Sequence, residues 1–83
     1  MRLIFRILDL DVSRLKESER LLRRLVRARG MSVDIYLIND FLELGRVGVA
    51  DRLPALEVNG VIMNAGRDLT ETMLDQLLSR LKR

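Results

Sequence analysis

The sequence predicts a single α/β domain over residues 1–83, with the element order β-α-β-α-β-β-α and a mixed four-stranded sheet that carries helices on both faces. Three observations lead to this fold class. Short apolar runs alternate with segments of helical periodicity. A helix of sixteen residues separates the first two runs and is long enough for a right-handed crossover between parallel strands. The last two runs flank Asn59-Gly60, a dipeptide that favours a tight antiparallel hairpin.

The first two elements are a strand and a long helix. Leu3–Leu8 is an apolar run that predicts a buried strand. Asp11 or Ser13 can cap the following helix, which we place over Arg14–Arg29 with Gly30 just past its end. Residues at spacings of three and four predict one buried face of this helix. That face consists of Leu15, Ser18, Leu22, Leu25, Val26 and Arg29.

The remaining elements are shorter. Ser32–Ile38 predicts a second strand, and Asn39 is expected to cap a short helix over Asp40–Gly45. The two strands of the hairpin are Ala55–Val58 and Val61–Ala65. Thr70 is placed to cap the final helix. The inward positions of that helix are Met73, Leu74, Leu77, Leu78 and Leu81.

The composition excludes several kinds of site. The chain has no cysteine and no histidine, so it has no thiolate or imidazole for catalysis or for binding a metal. The chain is 48% hydrophobic but only 4% aromatic, which predicts a core of leucine, isoleucine, valine and methionine. We expect no catalytic residues, no metal site and no cofactor.

The charge and hydropathy patterns bear on partners and location. The net charge is +3, and 13 of the 15 basic residues are arginine, a side chain that binds phosphate and carboxylate groups in bidentate fashion. No apolar run approaches the roughly 20 residues that cross a membrane. The amino-terminal residues lack the pattern of a signal peptide. We therefore expect a cytoplasmic protein without a membrane partner.

One segment resembles a known family. Gly48–Gly60 contains the only proline of the chain, Pro54, directly before the hairpin, and Gly66-Arg67 follows the hairpin. This arrangement resembles the small archaeal and bacterial thioredoxin-like, glutaredoxin-like proteins, and the resemblance covers nearly the whole chain. It implies the thioredoxin fold, a cis peptide bond before Pro54, and a backbone at Leu53 that is offered to an extended peptide.

The departure from the family lies in the first loop. The family's Cys-x-x-Cys motif belongs at the start of the first helix, where this chain has Val12 and Leu15 at the aligned positions. Thiol–disulfide exchange requires a thiolate that attacks sulfur, and neither side chain supplies one. We therefore expect no oxidoreductase activity and no enzyme, but a redox-inactive thioredoxin-fold module that binds a protein or peptide.

The resemblance also gives the candidate binding residues. They are Val12, Leu15, Leu53 and Pro54, with Leu10 as an apolar neighbour. An exposed apolar cluster at this position would mark a binding surface. The alternative is that some of these side chains turn inward and fill the space between helix and sheet.

Other candidate sites depend on charge. The basic residues of the first helix could bind a polyanion, although interleaved Glu17 and Glu19 and the scarcity of aromatic side chains favour a solvated face and disfavour nucleic acid. These basic residues are Lys16, Arg20, Arg23, Arg24 and Arg27. Asp9 and Asp11 could bind a cation or act as a general base, but loop formation and helix capping are the favoured roles. A self-associating structural domain, such as a homodimer, is a further alternative.

Overall fold

The computed structural model describes residues 2–81 and has the predicted order of elements. The strands are β1 (Leu3–Leu8), β2 (Val33–Ile38), β3 (Ala55–Val58) and β4 (Val61–Ala65). The helices are α1 (Val12–Ala28), α2 (Phe41–Val47) and α3 (Glu71–Leu81).

The four strands form one mixed sheet in the order β2-β1-β3-β4. β1 and β2 are parallel and in register from the pair Leu3↔Val33 to the pair Leu8↔Ile38, as the crossover helix predicts. The other two pairings, β1 with β3 and β3 with β4, are antiparallel. This is a thioredoxin-like topology, and the fold class predicted from the sequence is confirmed.

One face of the sheet carries the main core. Because side chains alternate along a strand, Phe5 and Ile7 of β1 point to the same face, where α1 and α3 cover them. The buried members of this cluster are Phe5, Ile7, Leu15, Leu22, Leu25, Val26, Leu56, Val58, Leu69, Leu74, Leu77 and Leu78. Each fully buried aliphatic or aromatic side chain contributes roughly 1.5–3 kcal/mol relative to its exposed state.

The opposite face is covered at one end only. A small cluster of Leu8, Leu44, Val49 and Ala55 holds the seven-residue helix α2 and the loop after it against the sheet. Farther from α2 the same face remains open, and Tyr36 on β2 is 53% exposed there. The two faces of the sheet are therefore unequally covered.

The starts of helices α1 and α2 differ from the predicted positions. Helix α1 starts at Val12, two residues earlier than predicted, because the side chain of Asp11 accepts a hydrogen bond from the backbone N–H of Arg14 at 3.1 Å. Helix α2 is capped by Asp40 and not by Asn39, since the Asp40 side chain accepts from the N–H of Leu42 at 3.0 Å.

Glycine and threonine positions set the other ends. Helix α2 continues through Gly45 to Val47, and its C-cap Gly48 has a φ of 87°, the left-handed conformation that terminates helices. The prediction that α2 ends at Gly45 is therefore wrong. Thr70 caps α3 as predicted, because its hydroxyl accepts a hydrogen bond from the N–H of Met73 at 3.2 Å.

The hairpin has the geometry that Asn59-Gly60 predicts. Both residues have positive φ, 49° and 85°, which a two-residue turn between twisted strands requires. The Asn59 side chain also accepts a hydrogen bond from the N–H of Ile4 at 2.7 Å, which joins the turn to β1. Farther along, the register shifts so that Met63 is an extra residue of β4 without a partner on β3.

A cluster of charged side chains joins α2 to the sheet. Arg6 of β1 donates to Glu43 of α2 at 2.6 Å and to Glu57 of β3 at 3.2 Å. Arg46 also contacts Glu43, at 2.6 Å. The hydrogen bonds from Arg46 and then Arg6 lower the pKa of Glu43 from 4.5 to about 2. The ionised carboxylate is therefore part of the folded structure at neutral pH.

This cluster predicts a stability that depends on pH. The folded-state pKa of Glu43 is about 2 and the ordinary value is 4.5, so its contribution is complete above pH 4.5 and is lost as the pH falls from 4.5 to about 2. We expect Glu43→Gln to lower the free energy of unfolding at pH 7, and we expect the difference from the unsubstituted protein to shrink over that interval.

Urea unfolding at pH 7, 4.5, 3 and 2 measures this difference. Glu17→Gln is the matched control, because Glu17 has no ion pair among residues 2–81. A difference between the Glu43→Gln variant and the unsubstituted protein that stays constant from pH 7 to pH 2 would contradict the ion-pair interpretation.

Candidate functional site

The loop between β1 and α1 and the dipeptide Leu53-Pro54 lie at the same end of the sheet. The last pair of the antiparallel β1–β3 ladder is Leu8↔Ala55. The next residues in each direction are Asp9 and Pro54, so the ladder places the β1–α1 loop beside the segment that enters β3. The Leu53-Pro54 peptide bond is cis, as the resemblance implies.

Asp9 anchors the β1–α1 loop. Its side chain is fully buried, and its two carboxylate oxygens accept hydrogen bonds from Arg14, from Nε at 2.6 Å and from Nη2 at 2.7 Å. The N–H of Asp11 also donates to Asp9, at 3.2 Å. The hydrogen bonds to Asp9 raise the pKa of Arg14 above its ordinary value, so the guanidinium stays charged. This ion pair, which is buried only on the Asp9 side, joins the end of β1 to the first turn of α1.

These contacts settle the roles of the two acidic residues. Asp9 has both oxygens occupied by Arg14 and the loop backbone, and Asp11 is the N-cap of α1. Both therefore serve as loop-forming and capping residues. In the part of the chain from 2 to 81, no group of three or more acidic, histidine or cysteine side chains is placed to hold a metal ion.

The predicted apolar site residues separate into two groups. Leu10 is 43% exposed and Val12 is 49% exposed, so both present apolar surface on the loop and the first turn of α1. Leu15 is only 3% exposed and belongs to the main core, and Pro54 is also buried. The prediction that placed Leu15 in the binding surface is therefore wrong, because its helical spacing to Leu22 puts it on the buried face of α1.

The side chain and the backbone of Leu53 differ in their contacts. The side chain is half-buried and packs against the small cluster beneath α2. The neighbouring groups are satisfied, since the N–H of Arg52 donates to Val49 at 2.8 Å and the carbonyl of Pro54 accepts from Gly66 at 3.1 Å. Within residues 2–81, no hydrogen bond involves the N–H or the carbonyl of Leu53.

The basic residues of α1 form a second candidate surface. All five, Lys16, Arg20, Arg23, Arg24 and Arg27, are exposed. Arg23 is paired with Glu19 at 2.9 Å, and Arg24 is paired with Glu71 at 3.1 Å. The other three, Lys16, Arg20 and Arg27, have no ion-pair partner in the described part of the chain.

A cleft of about 770 Å³ lies between α1 and the residues before α3. Its lining includes Arg14, Arg20 and Arg24, but also the acidic residues Glu17 and Asp68. Because both signs of charge line this cleft, it does not form a uniform anion site. The basic surface of α1 is therefore divided by acidic side chains, as its sequence indicates.

The fold of this chain can be described, but its family cannot be assigned by similarity. No protein-family model, curated protein or solved structure gives a significant match to this chain. The fold itself is a small α/β fold with a mixed four-stranded sheet of thioredoxin-like topology in a chain without cysteine. Among residues 2–81, none of the helices has the length and apolar character needed to span a membrane.

The Asp9–Arg14 pair predicts a measurable cost of substitution. Arg14→Met leaves a buried carboxylate without its cation, and we expect a loss of about 2 kcal/mol in the free energy of unfolding. Breaking a fully buried pair costs ~3–5 kcal/mol, and the expected loss is smaller because Arg14 is partly exposed. Asp9→Asn made in the Arg14→Met background should cost much less than the same change in the unsubstituted protein. Urea unfolding of the two single variants and the double variant measures this coupling, and additive effects would contradict it.

Proposed function

We propose that this protein is a redox-inactive member of the thioredoxin-like family that binds an extended segment of a protein or peptide beside Leu53. The observation that carries the proposal is the backbone of Leu53, which has no hydrogen-bond partner within residues 2–81 and lies next to a loop with exposed apolar side chains. An extended segment that pairs with this backbone would also contact Leu10 and Val12.

The backbone contact would supply recognition that does not depend on sequence. A bound segment in extended conformation can donate to the Leu53 carbonyl and accept from its N–H, as in other forms of strand addition. Each such hydrogen bond contributes about 0.5–1.5 kcal/mol net. Two of them give only weak binding, so the affinity must also depend on burial of apolar surface.

Leu10 and Val12 are placed to provide that burial. Both are about half exposed on the segment that the register puts next to Leu53. Burial of apolar area contributes about 25 cal/mol per Å². The Asp9–Arg14 pair and the Asp11 cap hold this segment in place, which lowers the entropy cost of binding.

The chemistry of the chain favours binding over catalysis. Neither a thiol nor an imidazole is present in the sequence, and the buried carboxylate of Asp9 is held by Arg14. The positions aligned with the family's cysteines carry valine and leucine. We therefore propose no enzymatic activity for this site.

The experiment is a substitution that separates binding from folding. Val12 is the first residue of α1, whose first turn carries no acidic residue. A carboxylate near a helix N-terminus stabilises by about 0.3–1 kcal/mol, so Val12→Asp should leave the melting temperature equal or slightly higher. We expect the same change to weaken peptide binding more than tenfold, because it places a charge in the apolar contact.

Peptides selected from a displayed random library against the unsubstituted protein provide the probe. Their affinities for the Val12→Asp variant are compared with those for Leu42→Asp, a matched control at a residue of α2 that is 80% exposed. Amide shifts at Leu10, Val12 and Leu53 on titration would support the proposed site. Equal affinities for both variants, or shifts located elsewhere, would overturn it.

A second candidate function is polyanion binding by α1. The observation that favours it is the set of three cations without ion-pair partners in residues 2–81, namely Lys16, Arg20 and Arg27. Three phosphate contacts to a single strand predict that the logarithm of affinity falls with the logarithm of salt concentration with a slope of roughly 2.

Fluorescence anisotropy with a twenty-nucleotide poly(dT) strand at several salt concentrations tests this candidate. Changing Lys16, Arg20 and Arg27 to Glu should abolish binding. The control variant changes Arg52, Arg67 and Arg80 to Glu, which alters the net charge by the same amount outside α1. If the two variants lose the same affinity, binding reflects net charge alone and the α1 site is rejected.

A further inference from the structure

We propose that the outer edge of β2 binds an acidic extended segment of a partner protein as a fifth strand, with an acidic side chain of that segment directed toward Arg27. This site is on the strand farthest from β3 and is separate from the surface beside Leu53. It also differs from polyanion binding, because recognition requires backbone pairing as well as charge.

The β2 edge is the regular edge of the sheet. β2 pairs with β1 over six consecutive residues without a shift in register, and it contains neither proline nor lysine. The other edge strand, β4, carries the extra residue Met63, and a bulge of this kind bends an edge strand and hinders the addition of another strand. Strand addition is therefore favoured at β2.

Within residues 2–81, some backbone groups of β2 have no hydrogen-bond partner at this edge. The carbonyl of Ile38 accepts a hydrogen bond from Asp9 at the β1 side, at 3.0 Å. Because the N–H and carbonyl of successive strand residues point to alternate sides, Ile35 and Leu37 direct theirs away from β1. The Val33 carbonyl accepts from Nη2 of Arg2 at 3.2 Å, so the unpaired stretch is centred on Ile35 and Leu37.

A cleft beside this edge can receive side chains of the added strand. Its volume is about 250 Å³, and it lies between the end of α1 and the start of β2. Val26, Met31 and Ile35 give it an apolar wall, and Arg23 and Arg27 stand at its rim. Alternate side chains of an added strand point to one face of the sheet, so every second residue would be directed toward this cleft.

The positive charge at the rim of this cleft favours an added strand with an acidic residue. Arg23 is already paired with Glu19, but Arg27 has no ion-pair partner among residues 2–81. An acidic residue at one of the cleft positions would pair with Arg27, with apolar residues two positions before and after it. A second copy of β2 fits less well, because two-fold pairing would bring the Arg23 and Arg27 of both copies to the same face of the joined sheet.

The experiment uses a designed probe. It is a ten-residue fluorescein-labelled peptide of alternating threonine and valine with one central glutamate, measured by fluorescence anisotropy against the whole protein. We expect Arg27→Glu to weaken binding about tenfold, whereas Lys16→Glu, the same charge change at the other end of α1, leaves affinity within about twofold. The same peptide with glutamine in place of glutamate should bind the unsubstituted protein about threefold more weakly.

Backbone pairing is tested separately. Leu37→Pro removes an outward N–H at an edge strand without removing a side chain that lines the cleft, and it should abolish binding while the far-ultraviolet circular dichroism is retained. Amide exchange at Ile35 and Leu37 should slow when the peptide binds. Val12→Asp should leave this binding unchanged, which separates the outcome from that of the proposed function.

Three results would overturn the proposal. One is equal weakening by Arg27→Glu and Lys16→Glu, which would indicate a general charge effect. Another is peptide binding without slower amide exchange at Ile35 and Leu37. The third is self-association in sedimentation equilibrium that Leu37→Pro abolishes, which would assign this edge to a second copy of the chain.

Discussion

The burial of Phe5 and Ile7 under α1 and α3 is the constraint on which the rest of the fold depends. These two side chains of β1 are completely buried, and β1 is an inner strand with β2 on one side and β3 on the other. Helix α1 covers these side chains as it crosses over the sheet from β1 to β2, and this crossover makes the two strands parallel. With few aromatic side chains, leucine supplies most of the volume that fills the space between the helices and the sheet.

The second face of the sheet is stabilised by a different combination of interactions. Helix α2 is short, and its apolar contact with the sheet is limited to a small cluster around Leu44. The charged cluster of Arg6, Glu43 and Glu57 adds hydrogen bonds between α2, β1 and β3. Because this helix covers only one end, apolar and aromatic side chains such as Tyr36 remain exposed on the same face.

The candidate site also depends on a small number of contacts. The family that the sequence resembles places reactive sulfur at the start of the first helix, whereas here a buried carboxylate and an arginine hold that loop. Leu10 in the loop and Val12 at the start of α1 present exposed apolar side chains beside the exposed cap residue Asp11, and the adjacent backbone of Leu53 is unpaired within residues 2–81. These are properties suited to binding an extended chain, and they require no reacting group.

Local rules in the sequence determined most of the fold. The Asn59-Gly60 turn, the Thr70 cap and the buried stripe of α1 each depend on neighbours within a few residues, so spacing alone predicts them. The parallel pair of β1 and β2 follows from the length of the crossover, and the antiparallel pair of β3 and β4 follows from the tight hairpin. The pairing of β1 with β3, which fixes the strand order, depends on tertiary structure. Even the errors at the ends of α2 amount to one residue at the start and two at the end, because several adjacent residues can cap or end a helix.

Tertiary structure decided which of the candidate site residues are exposed and which are buried. The Asp9–Arg14 pair has no distinctive spacing, and the Arg6–Glu57 contact joins residues 51 positions apart, so neither can be read from local pattern. Leu15 and Val12 are both apolar and three residues apart, yet one is buried and the other exposed because α1 packs on the sheet at one rotation. The sequence by itself therefore determined which elements form and how they connect. Their packing determined which side chains and backbone groups remain available to a partner.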